Sequence, residues 1–432
     1  MNILMMTNTF TPHVGGVARS VAAFAESYRG MGHQVLVVAP VFPHTPVHEQ
    51  GVVRVPALQN FNGSDFSVVL PVSAMLQEAI DDFRPEVVHT HHPFLIGSTA
   101  LRVASLYQLP LAFTHHTMYE RYTHYVPGDS PALKRFVIGL STAYANLCDQ
   151  VFAPSESIAG VLKERGVTAP LAVLPTGVDV AFLGSGDGGG FRAARGIPSD
   201  AFLVGHLGRL AREKNLGFLA RSVASFVGET ANAHFLVAGS GPSGEVLDTV
   251  FAEAGLGERL HRVGVLEGHA LADAYRAMDV FAFASTSETQ GMVLSEAMAA
   301  GTPVVALDAP GVREVVRDGD NGYLLMEASE PDFARALARV AVLSPAEMKH
   351  MRRQARGTAE AVSMEHTARR ALDHYQRLRR QGFVARPEAY TNWDGLVSLI
   401  KGEWELLKGM AGAAGAALGP EDGEPLGHDA KC

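Results

Sequence analysis

The stretch Asp279-Val-Phe-Ala-Phe-Ala284, running on to Glu288-Thr-Gln-Gly-Met-Val-Leu-Ser-Glu296, decides how this chain folds. Its opening is an apolar run of strand type, and Val293-Leu-Ser-Glu-Ala-Met-Ala-Ala300 has helical character. Gly291 stands at the turn between them, so the segment reads as strand, turn and helix, the repeating step of an α/β sheet. Such a turn aims unpaired backbone N–H groups and a positive helix end at whatever sits above it, usually an anion. The two glutamates have seven residues between them, which puts Glu288 in the loop and Glu296 inside the helix. Ionised carboxylates only accept hydrogen bonds, and so placed they would take them from hydroxyls on either side of a phosphate. Sugar-nucleotides, with hexose, diphosphate and ribose in line, have that layout. A solvated helix with two ordinary glutamates has the same spacing, so the rest of the chain must decide.

Outward from this segment the alternation continues. Strand-like runs occur at Ile3–Thr7, Gln34–Ala39, Val52–Pro56, Glu86–His89, Leu111–Thr114, Gln150–Ala153 and Ala172–Leu174. Between the first two, Val17, Val21, Phe24, Tyr28 and Met31 recur at helical spacing. Mostly apolar strands separated by such helices predict parallel sheets covered on both faces. Gly184-Ser-Gly-Asp-Gly-Gly-Gly190 breaks the composition and reads as a flexible polar segment. The pattern then restarts with Phe202–Leu207, His234–Ala238, Leu260–Val263, Val280–Ala284 and Pro303–Leu307. Two α/β units joined near residues 180–195 are expected, with helices from about Pro331 to Arg380 closing the second. Open α/β sheets bind ligands at the carboxyl ends of their strands, which places a site in the cleft between the units.

At 432 residues the chain has room for two or three domains, and its net charge of −9 gives no global sign of nucleic-acid binding. Cys148 and Cys432 cannot supply a disulfide framework or a cysteine zinc site, and they fit a reducing compartment. The first residues lack the pattern of a signal peptide, and no apolar run approaches the roughly 20 residues needed to span a bilayer. A cytoplasmic, non-spanning chain is expected.

The remaining motifs sit just after strands. Gly15-Gly16, at a helix start, permits close backbone approach to a phosphate, although a plain turn also uses such a pair. Arg209 and Lys214, in Gly208-Arg-Leu-Ala-Arg-Glu-Lys-Asn215, offer a forked and a point positive charge suited to a diphosphate and to a departing nucleoside diphosphate. His115-His116 ends a strand and leads to Tyr119, Tyr122 and Tyr125 at three-residue spacing, an aromatic surface for an acceptor or part of the core. His89-Thr-His91-His92 resembles a metal cluster, but no nearby carboxylate or cysteine completes a ligand set. Gly239-Ser-Gly-Pro-Ser-Gly244 matches a dinucleotide fingerprint, yet it follows the second strand of its unit and Pro242 interrupts it.

Together these motifs closely resemble the retaining glycosyltransferases of the two-Rossmann-domain (GT-B) type, in glycosyltransferase family 4. The resemblance covers about residues 1–380 and includes Ser287-Glu288-Thr-Gln-Gly291, Glu296-Ala-Met-Ala-Ala-Gly-Thr-Pro303 and Asp318-Gly-Asp-Asn-Gly322. It implies a Rossmann-like acceptor-binding domain over 1–183 and a Rossmann-like sugar-nucleotide domain over 196–380; beyond it a helical segment is expected over 381–408, and the Gly-, Ala-, Pro- and acid-rich composition of 409–432 reads as a disordered tail. It also implies that Glu296 holds ribose hydroxyls and Glu288 donor-sugar hydroxyls. Backbone around Gln290, Gly291, Met292 and Val293 would meet sugar and phosphates. Arg209 and Lys214 would clamp the diphosphate, with Gly15 and Gly16 approaching from the other domain. His116 matches the family's active-site histidine. No metal or other cofactor is implied, and no nucleophile, because the leaving diphosphate helps to take the acceptor proton.

Within the family, His116-Thr-Met-Tyr-Glu-Arg-Tyr-Thr-His-Tyr-Val-Pro127 is most similar to bacterial diacylglycerol glucosyltransferases, with Arg121 where Asp is usual. That implies UDP-glucose as donor, a membrane lipid as acceptor and peripheral contact with the inner face of an anionic membrane. Lys134 and Arg135 beside Phe136, Val137 and Ile138 would suit such contact, as would Arg352, Arg353, Arg369, Arg370, Arg377, Arg379 and Arg380; a solvated face is the commoner use of such residues. The alternatives are a soluble sugar, glycan or small-molecule acceptor, a UDP-sugar 2-epimerase, and a non-catalytic sugar-nucleotide-binding subunit.

Overall fold

The computed structural model describes residues 1–13, 15–46, 49–58, 68–69, 74–121, 123, 130–285 and 288–383. In chain order its strands are β1 (Asn2–Met6), β2 (Gln34–Pro40), β3 (Val52–Val55), β4 (Ala57–Leu58), β5 (Val68–Val69), β6 (Val87–Thr90), β7 (Leu111–Thr114) and β8 (Gln150–Ala153), then β9 (Leu171–Val173), β10 (Phe202–Leu207), β11 (Ala233–Ala238), β12 (Leu260–Gly264), β13 (Val280–Phe283), β14 (Val304–Leu307) and β15 (Gly322–Leu325). They form a seven-stranded sheet, β3-β2-β1-β6-β7-β8-β9, a six-stranded sheet, β12-β11-β10-β13-β14-β15, and a small β4-β5 pair. Every pairing within the two large sheets is parallel. Both belong to one compact unit, Met1–Val384.

Strand order follows from burial on both faces. In β13, Val280 and Ala282 join one core cluster while Phe281 and Phe283 join the cluster on the opposite face, as the two-residue period of a strand requires. Each sheet reverses its winding once, between β1 and β6 in the first and between β10 and β13 in the second. A crevice opens at the carboxyl side of each reversal. The loops that leave β1, β6, β10 and β13 are those carrying Gly15–Gly16, His91–His92, Arg209–Lys214 and Glu288.

Three features depart from sequence expectation. Gly184–Gly190 is not a flexible linker: helices Val180–Gly184 and Gly188–Ala194 occupy most of it. Its glycines allow close contact with the Gly268–Ala277 helix, since a Cβ on Gly186 would fall 2.4 Å from the Ala272 carbonyl oxygen and one on Gly188 2.4 Å from that of Arg276. Among the closing helices, Glu330–Ala341 and Pro345–Ala361 pack on the second sheet. The next, Met364–Gln381, instead lays Ala368, Ala371, Leu372, Tyr375 and Leu378 against the first, a helical apolar stripe seated on β1 and its neighbours. Finally, β15 adds an edge strand that the motif Asp318–Gly322 had concealed.

The chain crosses between sheets twice, side by side. Val178 donates to the Val362 carbonyl at 3.1 Å and Met364 to that of Val178 at 2.9 Å. Gly177 permits this approach, as a Cβ there would lie 2.4 Å from the Met364 Cα.

Candidate active site

The loop after β10 is fixed by backbone. Leu210 N–H donates to the Ser240 carbonyl and Ser243 N–H to that of Leu210, both at 2.9 Å. A Cβ on Gly239 would lie 1.9 Å from the Gly208 oxygen and one on Gly241 2.4 Å from the Leu210 oxygen. The glycine run that imitates a dinucleotide fingerprint therefore has a packing role. Arg209 is exposed on this loop. Asn215, in left-handed conformation at φ 52°, then starts the Leu216–Glu229 helix. Beside it Lys214 Nζ meets Glu288 Oε1 at 2.5 Å, with side chains 20% and 14% exposed. Two residues assigned separate duties by sequence are thus one ion pair at the mouth of the β10–β13 crevice.

Gly291, at φ 70°, caps the Met292–Ala299 helix without any side-chain hydrogen bond to its first turn. The preceding loop is tied to the other sheet's elements instead. Gln290 Nε2 donates to the Thr176 carbonyl and Gln290 Oε1 accepts from Thr176 N–H, both at 2.7 Å. Thr289 Oγ1 donates to the His116 carbonyl at 2.9 Å, and Ser155 Oγ donates to that of Thr289 at 2.7 Å. The Gln290 carboxamide is consequently occupied, which leaves backbone at 290–293 as that segment's ligand-facing chemistry. Glu314 adds a further clasp by accepting from Glu156 N–H at 2.6 Å and Ser157 N–H at 2.7 Å, at the start of the Glu156–Glu164 helix.

Glu296 is buried and its two oxygens are held from opposite sides. Arg19 Nη2 donates to Oε1, and the Tyr275 hydroxyl donates to Oε2 at 2.7 Å. Burial, and then the carboxylate's charge, push the Tyr275 phenol well above its ordinary range; the same carboxylate, as the largest influence, raises Arg19. Each carboxylate oxygen has a second lone-pair site, so Glu296 retains acceptor capacity. Arg19 and Tyr275 escaped sequence reading. Arg19 lies one turn beyond Gly15–Gly16 in the Gly16–Gly30 helix, the signal that would have found it; Tyr275 resembles any buried helical aromatic.

Opposite lies the first sheet's edge. Gly15 is the extended N-cap of the Gly16–Gly30 helix, again with no side-chain cap bond, and a Cβ on Gly16 would meet nothing within 4 Å. No contact among the described residues therefore demands glycine at 16. His116 Nε2 lies 2.9 Å from His91 Nδ1, and the rings stack with centroids 5.2 Å apart. Burial first, then neighbouring histidines, hold both imidazoles well below the usual histidine range. His115 is also buried, neither ring nitrogen has a hydrogen-bond partner among the described residues, and burial lowers it to about 4. His89 contacts Thr114 Oγ1 at 2.7 Å and the Tyr375 hydroxyl at 2.5 Å, while His92 accepts from Asn8 N–H at 3.1 Å. The histidines that resemble a metal set thus have separate hydrogen-bonding partners. Tyr119 packs edge-on to Phe94 and His115 with its hydroxyl buried. Tyr122, Tyr125, Ser287 and the segment 384–432 lie outside the described residues. No helix among the described residues is long and apolar enough to cross a membrane.

Comparison with known proteins places this geometry. Residues 14–182 match Glycosyltransferase Family 4 and residues 190–358 match Glycosyl transferases group 1. The chain is 27% identical over 350 residues to an alpha-monoglucosyldiacylglycerol synthase of Acholeplasma laidlawii, covering 76% of this chain and 86% of that one. It is 32% identical over 318 residues to a D-inositol 3-phosphate glycosyltransferase of Actinosynnema mirum, covering 71% and 75%. In fold it is similar to Anabaena HepE solved with UDP, with a TM-score of 0.69, 19% identity and coverage of 87% and 100%. With two parallel sheets, a cleft between their carboxyl ends and both family signatures in order, the chain belongs to glycosyltransferase family 4 and is a glycosyltransferase of GT-B fold.

Proposed function

We propose that the protein moves a hexose, with glucose from UDP-glucose as the best-fitting donor, onto a membrane lipid such as diacylglycerol, with retention at the anomeric carbon. The observation that carries the donor half is the Lys214–Glu288 pair beside Arg209 and the uncapped Met292–Ala299 helix. Donor binding would insert the diphosphate between Lys214, Arg209 and the helix N-terminus, where positive charge meets the charge that develops on the leaving group. Glu288 would then take sugar hydroxyls, and Glu296 would share its free lone pairs with the ribose. Gly16 leaves room for the phosphates to approach. His116, neutral at physiological pH, would lie beside the transferred sugar and accept or donate one hydrogen bond. The cations and backbone of this site make a metal ion unnecessary in this reading, and front-face attack needs no protein nucleophile.

The acceptor half rests on likeness to the Acholeplasma synthase and on the Pro131–Asn146 helix, where Lys134 and Arg135 adjoin Phe136, itself 44% exposed. Such a helix would lie on an anionic surface. Greater identity to the inositol-phosphate enzyme favours a soluble acceptor as second reading.

Nucleoside diphosphate release tests both halves. Purified protein is given UDP-glucose, UDP-galactose, UDP-GlcNAc or GDP-mannose, with and without diacylglycerol in anionic liposomes, and products are identified by mass spectrometry. Lipid-stimulated UDP release with a glucosyl-diacylglycerol product is the expected result. Release only with inositol phosphate or another soluble acceptor would overturn the lipid assignment, and inversion at the anomeric carbon would overturn retention.

A further inference from the structure

We infer that the second domain carries an anion-binding groove, separate from the cleft, for a phosphate-bearing ligand. The groove has a volume of about 560 Å³ and is lined by Arg276, Lys349, Arg352, Arg353 and Arg356 around the Ala300–Gly301 turn. That volume lies within the range of small-molecule sites. It sits at the far end of the Met292–Ala299 helix, about 12 Å along the axis from the end that faces the cleft.

Four of the five cations come from one face of the Pro345–Ala361 helix. Lys349 and Arg353, like Arg352 and Arg356, are four residues apart, where like charges on a helix repel. Their counter-charges are few. Arg352 Nη2 shares Asp279, at 3.0 Å, with Arg192, at 2.8 Å, and Arg356 pairs with Glu360 at 3.2 Å. Arg276 donates to the Ala300 carbonyl at 2.9 Å. Among the described residues no carboxylate pairs with Arg276, Lys349 or Arg353, and the buried Nε of Arg352 has no acceptor. By contrast, other arginines of the basic C-terminal segment are occupied: Arg369 by Glu365, Arg379 by Glu86, and Arg370 by the Val173 carbonyl.

Concentrated cations, two of them (Lys349 and Arg353) without a side-chain partner among the described residues, match a multiply charged phosphate group by forked hydrogen bonds and point charge together. Among the described residues no acid lines the groove, and Asp279 and Glu360 beside it are already engaged, so the groove's field is positive and its affinity will fall as ionic strength rises. A free phosphate compound and a phospholipid headgroup present the same chemistry here.

The test uses full-length protein and inorganic phosphate as probe, with affinity read by titration calorimetry. Lys349→Ala/Arg353→Ala, both exposed positions, should weaken binding at least tenfold, and Lys349→Arg/Arg353→Lys should restore it. Arg209→Ala/Lys214→Ala, which disarms the cleft, should leave this binding in place. Unchanged affinity in the groove variant, or complete loss in the cleft variant, overturns the proposal. Co-sedimentation with phosphatidylglycerol or phosphatidylcholine vesicles separates the sources. Sedimentation specific to phosphatidylglycerol, lost in the groove variant and competed by phosphate, supports a headgroup ligand. Phosphate binding without groove-dependent sedimentation supports a soluble one. Wild-type protein that binds neither probe also overturns it.

Discussion

The β10–β13 crevice presents charged pairs at its mouth, with one buried imidazole, His206, beneath them, whereas the β1–β6–β7 side facing it presents a cluster of imidazoles, all buried but the half-buried His116. On one side Lys214 meets Glu288, and Glu296 is gripped by Arg19 and Tyr275. On the other, His89, His91, His92, His115 and His116 are all pushed below the usual histidine range, with burial the largest cause for each. A diphosphate can take the place of Glu288 beside Lys214, and the released carboxylate then needs the sugar hydroxyls as donors, because a buried charge left without a partner is costly. Neutral imidazoles offer a hydrogen bond without drawing ions or water, which suits a sugar and a weakly polar acceptor. In the proposed reaction this asymmetry would divide the labour of transfer between the two sheets.

The sharpest way to break that contrast is to disarm the charged side. Glu288→Ala and Lys214→Ala should each lower turnover by about 100-fold or more, the scale of a lost contact to developing charge. Because the two residues form one pair, the double variant should lose far less than the product of the single losses. Steady-state kinetics of nucleoside diphosphate release would check this, and a folded single variant with near-wild-type turnover would remove that residue from the machinery.

Acid probes the neutral side. A histidine lowered to about 4 when folded, against an ordinary value near 6.5, stays unprotonated in the native state while the unfolded chain takes up a proton. Stability from that source is fully present above pH 6.5 and is lost as pH falls toward 4. For His115 alone the loss between pH 6.5 and pH 5 is about 2 kcal/mol. His115→Phe, which keeps an aromatic ring between Phe113 and Tyr119, should flatten the fall in melting temperature between pH 7 and pH 5. An unaltered pH profile would show that this imidazole is not carried neutral.

Arg19 bridges the two sides. It belongs to the first sheet's opening helix yet neutralises a carboxylate of the second. Arg19→Ala should weaken UDP binding about tenfold, on the scale of one hydrogen bond to a charged group. Calorimetric affinity equal to wild type would confine Arg19 to a structural role.

What the sequence revealed and concealed follows the range of each interaction. Strands read from apolar runs lie within one residue of those observed, from Leu111–Thr114 to Phe202–Leu207, because strand burial is written locally. Lys214 and Glu288 were legible as site residues through their position after strands, but their pairing depends on how β10 and β13 lie side by side. Glycine was ambiguous at 184–190, since freedom from a Cβ serves both flexibility and close packing, and only the neighbouring Ala272 and Arg276 carbonyls distinguish them. The closing helix gave its apolar stripe but not the sheet that receives it. Amphipathicity says that a face is buried and is silent about its partner.

That last helix supplies the smallest effect. Tyr375 lies buried in it, and its hydroxyl contacts His89 Nδ1 at 2.5 Å and the Tyr28 hydroxyl at 3.2 Å. Tyr375→Phe keeps the ring in the core and deletes only the hydroxyl, leaving an imidazole nitrogen and a phenol short of a partner. The expected loss is about 1 kcal/mol, or about 1 °C in melting temperature for a chain of this length. UDP affinity should not move, because the charged crevice makes no use of this contact. A change in affinity as large as the change in stability would mean that the C-terminal helix, by setting His89 and through it the histidine edge, helps to place the donor as well as to hold the first sheet together.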